Sequence, residues 1–170
     1  MTSLRQWHEA ILSALRTQFE DRKVTVAAYT PTTSALQTPA LLLEMEDGTL
    51  GDDRGDGRTA LSCRLTLHAL LSLQTNDVEL AIRDFASEVL LFTRYQQWGL
   101  KEVSVPEQLA MGPGHFQTGD LGYESWYITW EQTIYLGKSR WHTDGLYRGP
   151  IQLGLDPQTG KGHEDDYEPL

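Results

Sequence analysis

Hydrophobic and polar residues alternate with a period of two over residues 60–73 and 122–137. In the first stretch every odd-numbered position is apolar, and in the second Trp126, Ile128 and Trp130 fall on one side of an extended chain. Such alternation is typical of strands with one buried face and one wetter face. Three further stretches are apolar and short enough to be strands or extended links, namely residues 24–29, 40–46 and 100–105. The pattern predicts a sheet of about four strands.

Apolar residues recur at helical spacing near the N-terminus. Over residues 4–19, Trp7, Ile11 and Leu15 share one stripe, and the remaining face is mostly polar. Ser3 precedes this stretch and is a residue type that caps helix N-termini. We therefore expect an amphipathic helix whose apolar stripe packs on the sheet.

A second helix is predicted over residues 78–92, with Asn76 in its capping segment. Two helices packed on a mainly antiparallel sheet of about four strands make an α+β fold, and we expect the aromatic strand of residues 122–137 at its centre. This single domain is predicted to span residues 1–140. Residues 141–170 are predicted to form an extended, acidic C-terminal segment.

Polar and glycine-rich stretches mark the predicted loops. Residues 50–58 and 106–120 are expected to be loops, and Asp47 with Gly48 is expected to form a turn.

The aspartates of the 50–58 loop do not match a calcium-binding loop. That motif needs oxygen ligands at its first, third, fifth and twelfth positions. Counted from Asp52, the third position is Arg54 and the twelfth is Cys63. Because Cys63 lies on the apolar side of its strand, we expect it to be a small core residue and not a nucleophile.

Charge and composition narrow the possible functions. The 170 residues carry 14 Lys and Arg against 24 Asp and Glu, a net charge of -10, which argues against a protein that grips a phosphate backbone. The acidity favours either simple solubility or a surface that DNA passes without sticking. The single cysteine excludes an internal disulfide, and no apolar run reaches the ~20 residues of a membrane span. We expect a soluble protein made in the cytoplasm.

A search for catalytic motifs is negative. The sequence has no G-x-S-x-G, no H-E-x-x-H and no paired cysteines, and residues 154–161 only approximate a phosphate-binding loop because Gly162 replaces the required Ser or Thr. His115 and His142 lie in predicted loops without a neighbouring base or orienting group. We expect no catalytic residues, no cofactor and no metal.

The order of elements and the aromatic strand together carry a family resemblance. The order is helix, strand, strand, long strand, helix, short strand and aromatic strand, and the last reads WYITWEQ over residues 126–132 and ends at Leu136 and Gly137. The late Pro157 and the acidic residues 164–167 add to it. The chain resembles the tail-terminator, or tail-completion, proteins of tailed bacteriophages and of phage-derived contractile particles such as R-type tailocins.

That resemblance implies a structural role. Members of the family form a ring, usually hexameric, that caps the finished tail tube, ends its polymerisation and presents a surface to the head-side connector. In contractile tails the ring also meets the sheath. The resemblance implies no cofactor, passage of DNA without specific binding, and a place in the virion or tail particle after assembly in the host bacterial cytoplasm.

Two sets of residues are candidates for this role. A cyclic ring needs two different sticky patches on each subunit. The candidate contacts with a subunit or partner are Leu70, Leu71, Tyr127, Trp141, Tyr147, Asp165, Asp166 and Tyr167. The candidate lumen loop, which would repel passing DNA, consists of Asp52, Asp53, Arg54 and Asp56. Two alternatives stay open, a neck or head-completion connector and a small enzyme with an unrecognised site.

Overall fold

The computed structural model describes residues 2–30, 36–52, 55–114, 122–140, 152–153, 161–162 and 168–169. It divides into two compact units, Met1–Arg140 and Trp141–Leu170. The first unit contains, in chain order, α1 (Leu4–Gln18), a 3-10 helix (Glu20–Arg22), β1 (Thr25–Ala28), β2 (Ala40–Leu50), β3 (Thr59–Ser72), α2 (Val78–Thr93), β4 (Glu107–Pro113) and β5 (Tyr123–Leu136). In the second unit β6 (Gln152–Leu153) pairs antiparallel with β7 (Glu168–Pro169).

The first unit is an α+β domain built on one mixed sheet of five strands. The strand order is β1-β2-β3-β5-β4, in which β1 runs parallel to β2 and every other pair is antiparallel. The expected sheet of about four antiparallel strands was therefore incomplete, and β3, not the aromatic β5, is the central strand.

The fifth strand lies where a loop was predicted. β4 occupies residues 107–113, inside the predicted loop 106–120, whereas residues 100–105 form turns with one bridge from Val103 to Ile134. Gly112 and Pro113 gave this segment the composition of a loop. Both are accommodated because β4 is an edge strand, where proline is tolerated.

Both helices pack on one face of the sheet, as predicted. Ser3 caps α1 through a capping box, in which the Gln6 amide donates to Ser3 Oγ at 3.2 Å and the Ser3 amide donates to Gln6 Oε1 at 2.9 Å. The predicted side-chain cap of α2 was wrong, because Asp77 begins that helix in a left-handed conformation without a side-chain cap. The core includes Trp7, Ile11 and Leu15 of α1, Ile82, Phe85 and Val89 of α2, and Leu65, Leu67, Ile128 and Trp130 of the sheet.

The hairpin of β2 and β3 is longer than the sequence indicated. The predicted turn at Asp47 and Gly48 was wrong, since Gly48 pairs with Cys63 and β2 continues to Leu50 after a bulge that follows Met45. The long β3 is confirmed. Residues 46–50 are exposed, so the end of β2 lies outside the hydrophobic core. We call residues 46–62 the hairpin end.

Candidate functional site

The face of the sheet opposite the helices is polar. Strand pairing places three residues of β3 directly across from three residues of β5 on this face, as the pairs His68–Tyr127, Thr66–Thr129 and Arg64–Glu131. We call this surface, with Glu44 and Glu46 of β2, the helix-free face. Its β5 residues are those that the alternation pattern places on the wetter side of the strand.

Hydrogen bonds tie the side chains of the helix-free face together in pairs. His68 Nε2 lies 2.8 Å from Glu44 Oε2, and the hydroxyl of Thr66 donates to the Glu46 carboxylate. Arg64 Nη2 donates to Glu131 Oε1 at 3.1 Å. This hydrogen bond and the nearby charge of Asp47 raise the pKa of the Arg64 guanidinium. The pairing fixes where the carboxylates of this face point.

A concavity of about 620 Å³ opens on the helix-free face. The Tyr29 and His68 rings stack at a tilt with their centroids 5.1 Å apart. On the β4 side, Gly112 allows the Tyr127 ring to lie close, because a Cβ there would be 2.7 Å from the Tyr127 hydroxyl oxygen. The concavity is lined by Tyr29, Glu46, Arg64, Thr66, His68, Pro113, Gly114, Tyr127 and Thr129.

One end of the same face is apolar and covered by the chain itself. Leu42 and Leu70 form a small cluster with Ala40, and Leu36 and Tyr123 pack against it. The Leu36 amide donates to the Tyr123 hydroxyl oxygen at 2.8 Å, which holds this cover in place.

Two of the predicted contact residues are buried within the chain. Leu70 is 0 % exposed in this small cluster, and Leu71 points into the main core on the other side of the strand. Neither side chain is therefore available for a contact with another subunit. Tyr127, by contrast, lies on the helix-free face at the concavity. The remaining predicted contacts, Trp141, Tyr147, Asp165, Asp166 and Tyr167, lie outside the described residues.

Asp56 of the predicted lumen loop anchors the hairpin end instead of facing solvent. Its side chain accepts hydrogen bonds from the Arg58 amide at 2.9 Å and from Arg58 Nε at 2.8 Å, and the residue is 6 % exposed. The pair raises the pKa of Arg58, whose guanidinium also lies 5.4 Å from the centre of the Tyr135 ring. The amide of Arg140 donates to the Asp56 carbonyl at 2.7 Å. Asp56 is therefore buried and paired at the hairpin end.

The rest of the predicted lumen loop divides between described and undescribed positions. Asp52 is exposed at the hairpin end, and Asp53 with Arg54 lies outside the described residues. Among the residues of this loop that the structure describes, Asp52 is therefore the aspartate exposed to solvent.

Cys63 lies in the core, as predicted. It is 2 % exposed, and burial, with a smaller contribution from Asp47, raises the pKa of its thiol to about 11. A thiol in this environment stays protonated near neutral pH, which suits a packing role and not nucleophilic catalysis.

The sequence reasoning missed the β2 and β3 residues of the helix-free face. Their signal was present in the alternation, because Thr66 and His68 occupy the polar positions of β3 and Glu44 and Glu46 the alternate positions of β2. What the sequence lacked was the register that sets Glu44 opposite Thr66.

Neither a scan of protein-family models nor a search of curated proteins returns a match for this chain. Within the parts of the chain that the structure describes, no helix is long and apolar enough to cross a membrane. In those same parts, no three His, Cys, Asp or Glu side chains are grouped to hold a metal ion.

Proposed function

We propose that this protein is a structural assembly subunit that forms a ring, hexameric in the simplest case, on the end of a phage-type tail tube. There it would end tube polymerisation and offer a surface to the head-side connector and, in a contractile tail, to the sheath. The observation that carries the proposal is the order α1, β1, β2, β3, α2, β4, β5, with a long β3 and an aromatic β5. The resemblance to tail terminators rests on this order of elements, with the short strand at residues 107–113 and not at residues 100–105.

A ring of identical subunits joins two different patches of each subunit head to tail. The hairpin end supplies one candidate patch, since Leu50 is 79 % exposed there. The end of α2 supplies the other, where Leu91 is exposed on the helix and Tyr95 is exposed in the turn that follows it. We assign the subunit contact to these two patches, in place of Leu70 and Leu71.

The charge of the protein fits a channel for DNA. A net charge of -10 repels phosphates, so DNA passing through the ring would not bind to its wall. With Asp56 engaged by Arg58, the exposed Asp52 is the described aspartate of the hairpin end that would contribute to this repulsion.

Deletion of the gene in a particle-producing strain tests the role. We expect tails of abnormal and variable length, measured by electron microscopy, and regular length after complementation with the wild-type gene. Normal tails that fail to join heads would instead identify a neck or head-completion connector. Normal, joined particles would contradict both assembly roles.

A second test uses the purified protein with tail tubes. Negative-stain images are expected to show sixfold rings, free or on one end of the tubes. A protein that stays monomeric in light scattering and never associates with tube ends would contradict the proposal.

A further inference from the structure

The concavity of the helix-free face is sheltered at its floor and open at its rim. Thr66 at the floor is 4 % exposed, whereas Glu46 at the rim is exposed to solvent. A volume of about 620 Å³ lies in the range of ligand-binding pockets in proteins. The stretch of β3 from Arg64 to His68 spans roughly 13 Å, the length of four residues of extended chain. The shape suits a short extended segment better than a packed helix.

The charges of this face determine whether it favours cationic or anionic ligands. The concavity itself is lined by one carboxylate, Glu46, and one guanidinium, Arg64. Beside it on the same face lie Glu44, which pairs with His68, and Glu131, which pairs with Arg64, so the face as a whole carries more carboxylates than guanidinium groups. The net charge of -10 strengthens that potential. Phosphate-bearing and acidic partners are disfavoured on this surface, and cationic side chains are favoured.

The aromatic walls narrow the choice among cations. Tyr29 and Tyr127 line the concavity from opposite sides of the sheet's central strand. A guanidinium is planar, stacks on aromatic rings and donates paired hydrogen bonds to a carboxylate, whereas an ammonium is a compact and strongly hydrated charge. One carboxylate, Glu46, in a concavity that two tyrosines also line therefore matches arginine better than lysine.

We propose that the helix-free face binds an arginine-bearing extended segment of a partner protein, with a guanidinium held between the Glu46 carboxylate and the Tyr127 ring. This binding goes beyond the ring-forming role and needs neither ring nor tube. Its test therefore uses the isolated full-length chain, and its failure would leave the tail role to be judged on tail length alone.

The probe is the peptide acetyl-Gly-Arg-Gly-Arg-Gly-amide, titrated into the protein by calorimetry at low ionic strength. A second peptide carries citrulline, the neutral counterpart of arginine, at both positions, and a third carries lysine. We expect the arginine peptide to bind at least about tenfold more tightly than either of the others, a difference that cation–aromatic and paired hydrogen bonds supply together. No saturable binding, or equal binding of the lysine peptide, would overturn the proposal.

Matched variants separate this site from general attraction to an acidic protein. Glu44→Gln with Glu46→Gln removes two carboxylates from the face, and Glu9→Gln with Asp84→Asn removes two exposed carboxylates from the helices on the other side. The first pair of substitutions is expected to lower the affinity for the arginine peptide about tenfold. The second pair is expected to change that affinity less than about twofold. Equal losses in both variants would mean that net charge alone attracts the peptide, and the proposal would fail.

Nuclear magnetic resonance locates the peptide independently of the variants. We expect the amide shifts that respond to the arginine peptide to concentrate at residues 64–68 of β3 and 127–131 of β5. Shifts confined to α1 and α2 would place the peptide on the other face and overturn the assignment.

Discussion

Trp98 Nε1 donates a hydrogen bond of 2.9 Å to Oε1 of Gln132, and both residues are buried. The same oxygen accepts a hydrogen bond of 3.1 Å from Trp130 Nε1. The amide nitrogen of Gln132 donates to the carbonyls of Gln96 at 2.8 Å and Ser104 at 2.6 Å. One amide side chain thus joins the turn after α2, the segment before β4 and the aromatic strand. It also holds Trp98, whose backbone φ of 56° lies in the left-handed region that bulky residues rarely occupy.

Replacing Gln132 by Leu is expected to destabilise the domain by at least about 3 kcal/mol, because it leaves buried donors and acceptors unpaired. Urea denaturation followed by tryptophan fluorescence measures the loss. Gln18→Leu is the control, since Gln18 is exposed at the end of α1 and its change should stay within about 0.5 kcal/mol. Similar stability of the two variants would mean that the network contributes little.

Trp7 and Trp130 offer a direct comparison of paired and unpaired indoles. Both are buried, but Trp7 Nε1 has no hydrogen-bond partner in the described structure, whereas Trp130 Nε1 donates to Gln132. Substitution by Phe removes similar volume at each site, and only at Trp130 does it also remove a hydrogen bond. Trp130→Phe should therefore cost about 1 kcal/mol more than Trp7→Phe in the free energy of unfolding. Equal costs would contradict the comparison.

Cys63 is expected to be unreactive in the folded protein. With its pKa raised from 9.0 to about 11, the thiolate fraction near pH 8 falls about 100-fold, and burial blocks access as well. Reaction with a chromogenic disulfide should be slow in buffer and fast in urea. Rapid reaction of the native protein would show that β3 opens readily.

The same pKa predicts a pH dependence of stability. The folded-state pKa is raised, so the stabilisation it brings is fully present below the unfolded value of 9.0 and is lost as pH rises through about 11. Between those values the free energy of unfolding should fall more steeply in the wild type than in Cys63→Ala. An equal dependence of the free energy of unfolding on pH in the two proteins would contradict a buried, protonated thiol.

The elements that the sequence predicted well are those with a long periodic pattern. α1, α2, β3 and β5 each repeat their apolar positions over several turns or residue pairs, so their faces are determined by the pattern itself. β4 was missed because Gly112 and Pro113 resemble a loop locally, while the pairing with β5 that makes them a strand comes from the fold.

The helix-free face was less predictable because it depends on register. Asp47 and Gly48 have the composition of a turn, but pairing with the long β3 overrides that local preference, and β2 continues to Leu50. The opposition of Glu44 and Thr66 follows from that pairing and from the bulge after Met45. The short-range pattern of residues predicts neither the pairing register nor the bulge.

Asp56 and Asp52 should respond differently to loss of charge. Asp56→Asn removes the negative charge that pairs with the Arg58 guanidinium and is expected to lower the free energy of unfolding by about 1–3 kcal/mol and to increase amide hydrogen exchange over residues 55–62. Asp52→Asn, at an exposed position, should leave both quantities unchanged. Asp52 is therefore the substitution that tests repulsion of DNA without disturbing the hairpin end. Equal exchange in the two variants would remove the anchoring role of Asp56.

Leu50→Asp is expected to abolish ring formation without unfolding the subunit. The side chain is 79 % exposed, so a charge there costs the monomer little, but it would be desolvated in a contact between subunits. Leu73→Asp is the matched control, because Leu73 is 53 % exposed just beyond the opposite end of β3. Light scattering and negative-stain images of each variant with tail tubes give the readout, and circular dichroism checks the fold. Rings that survive Leu50→Asp, or that are lost equally with Leu73→Asp, would remove the hairpin end from the subunit contact.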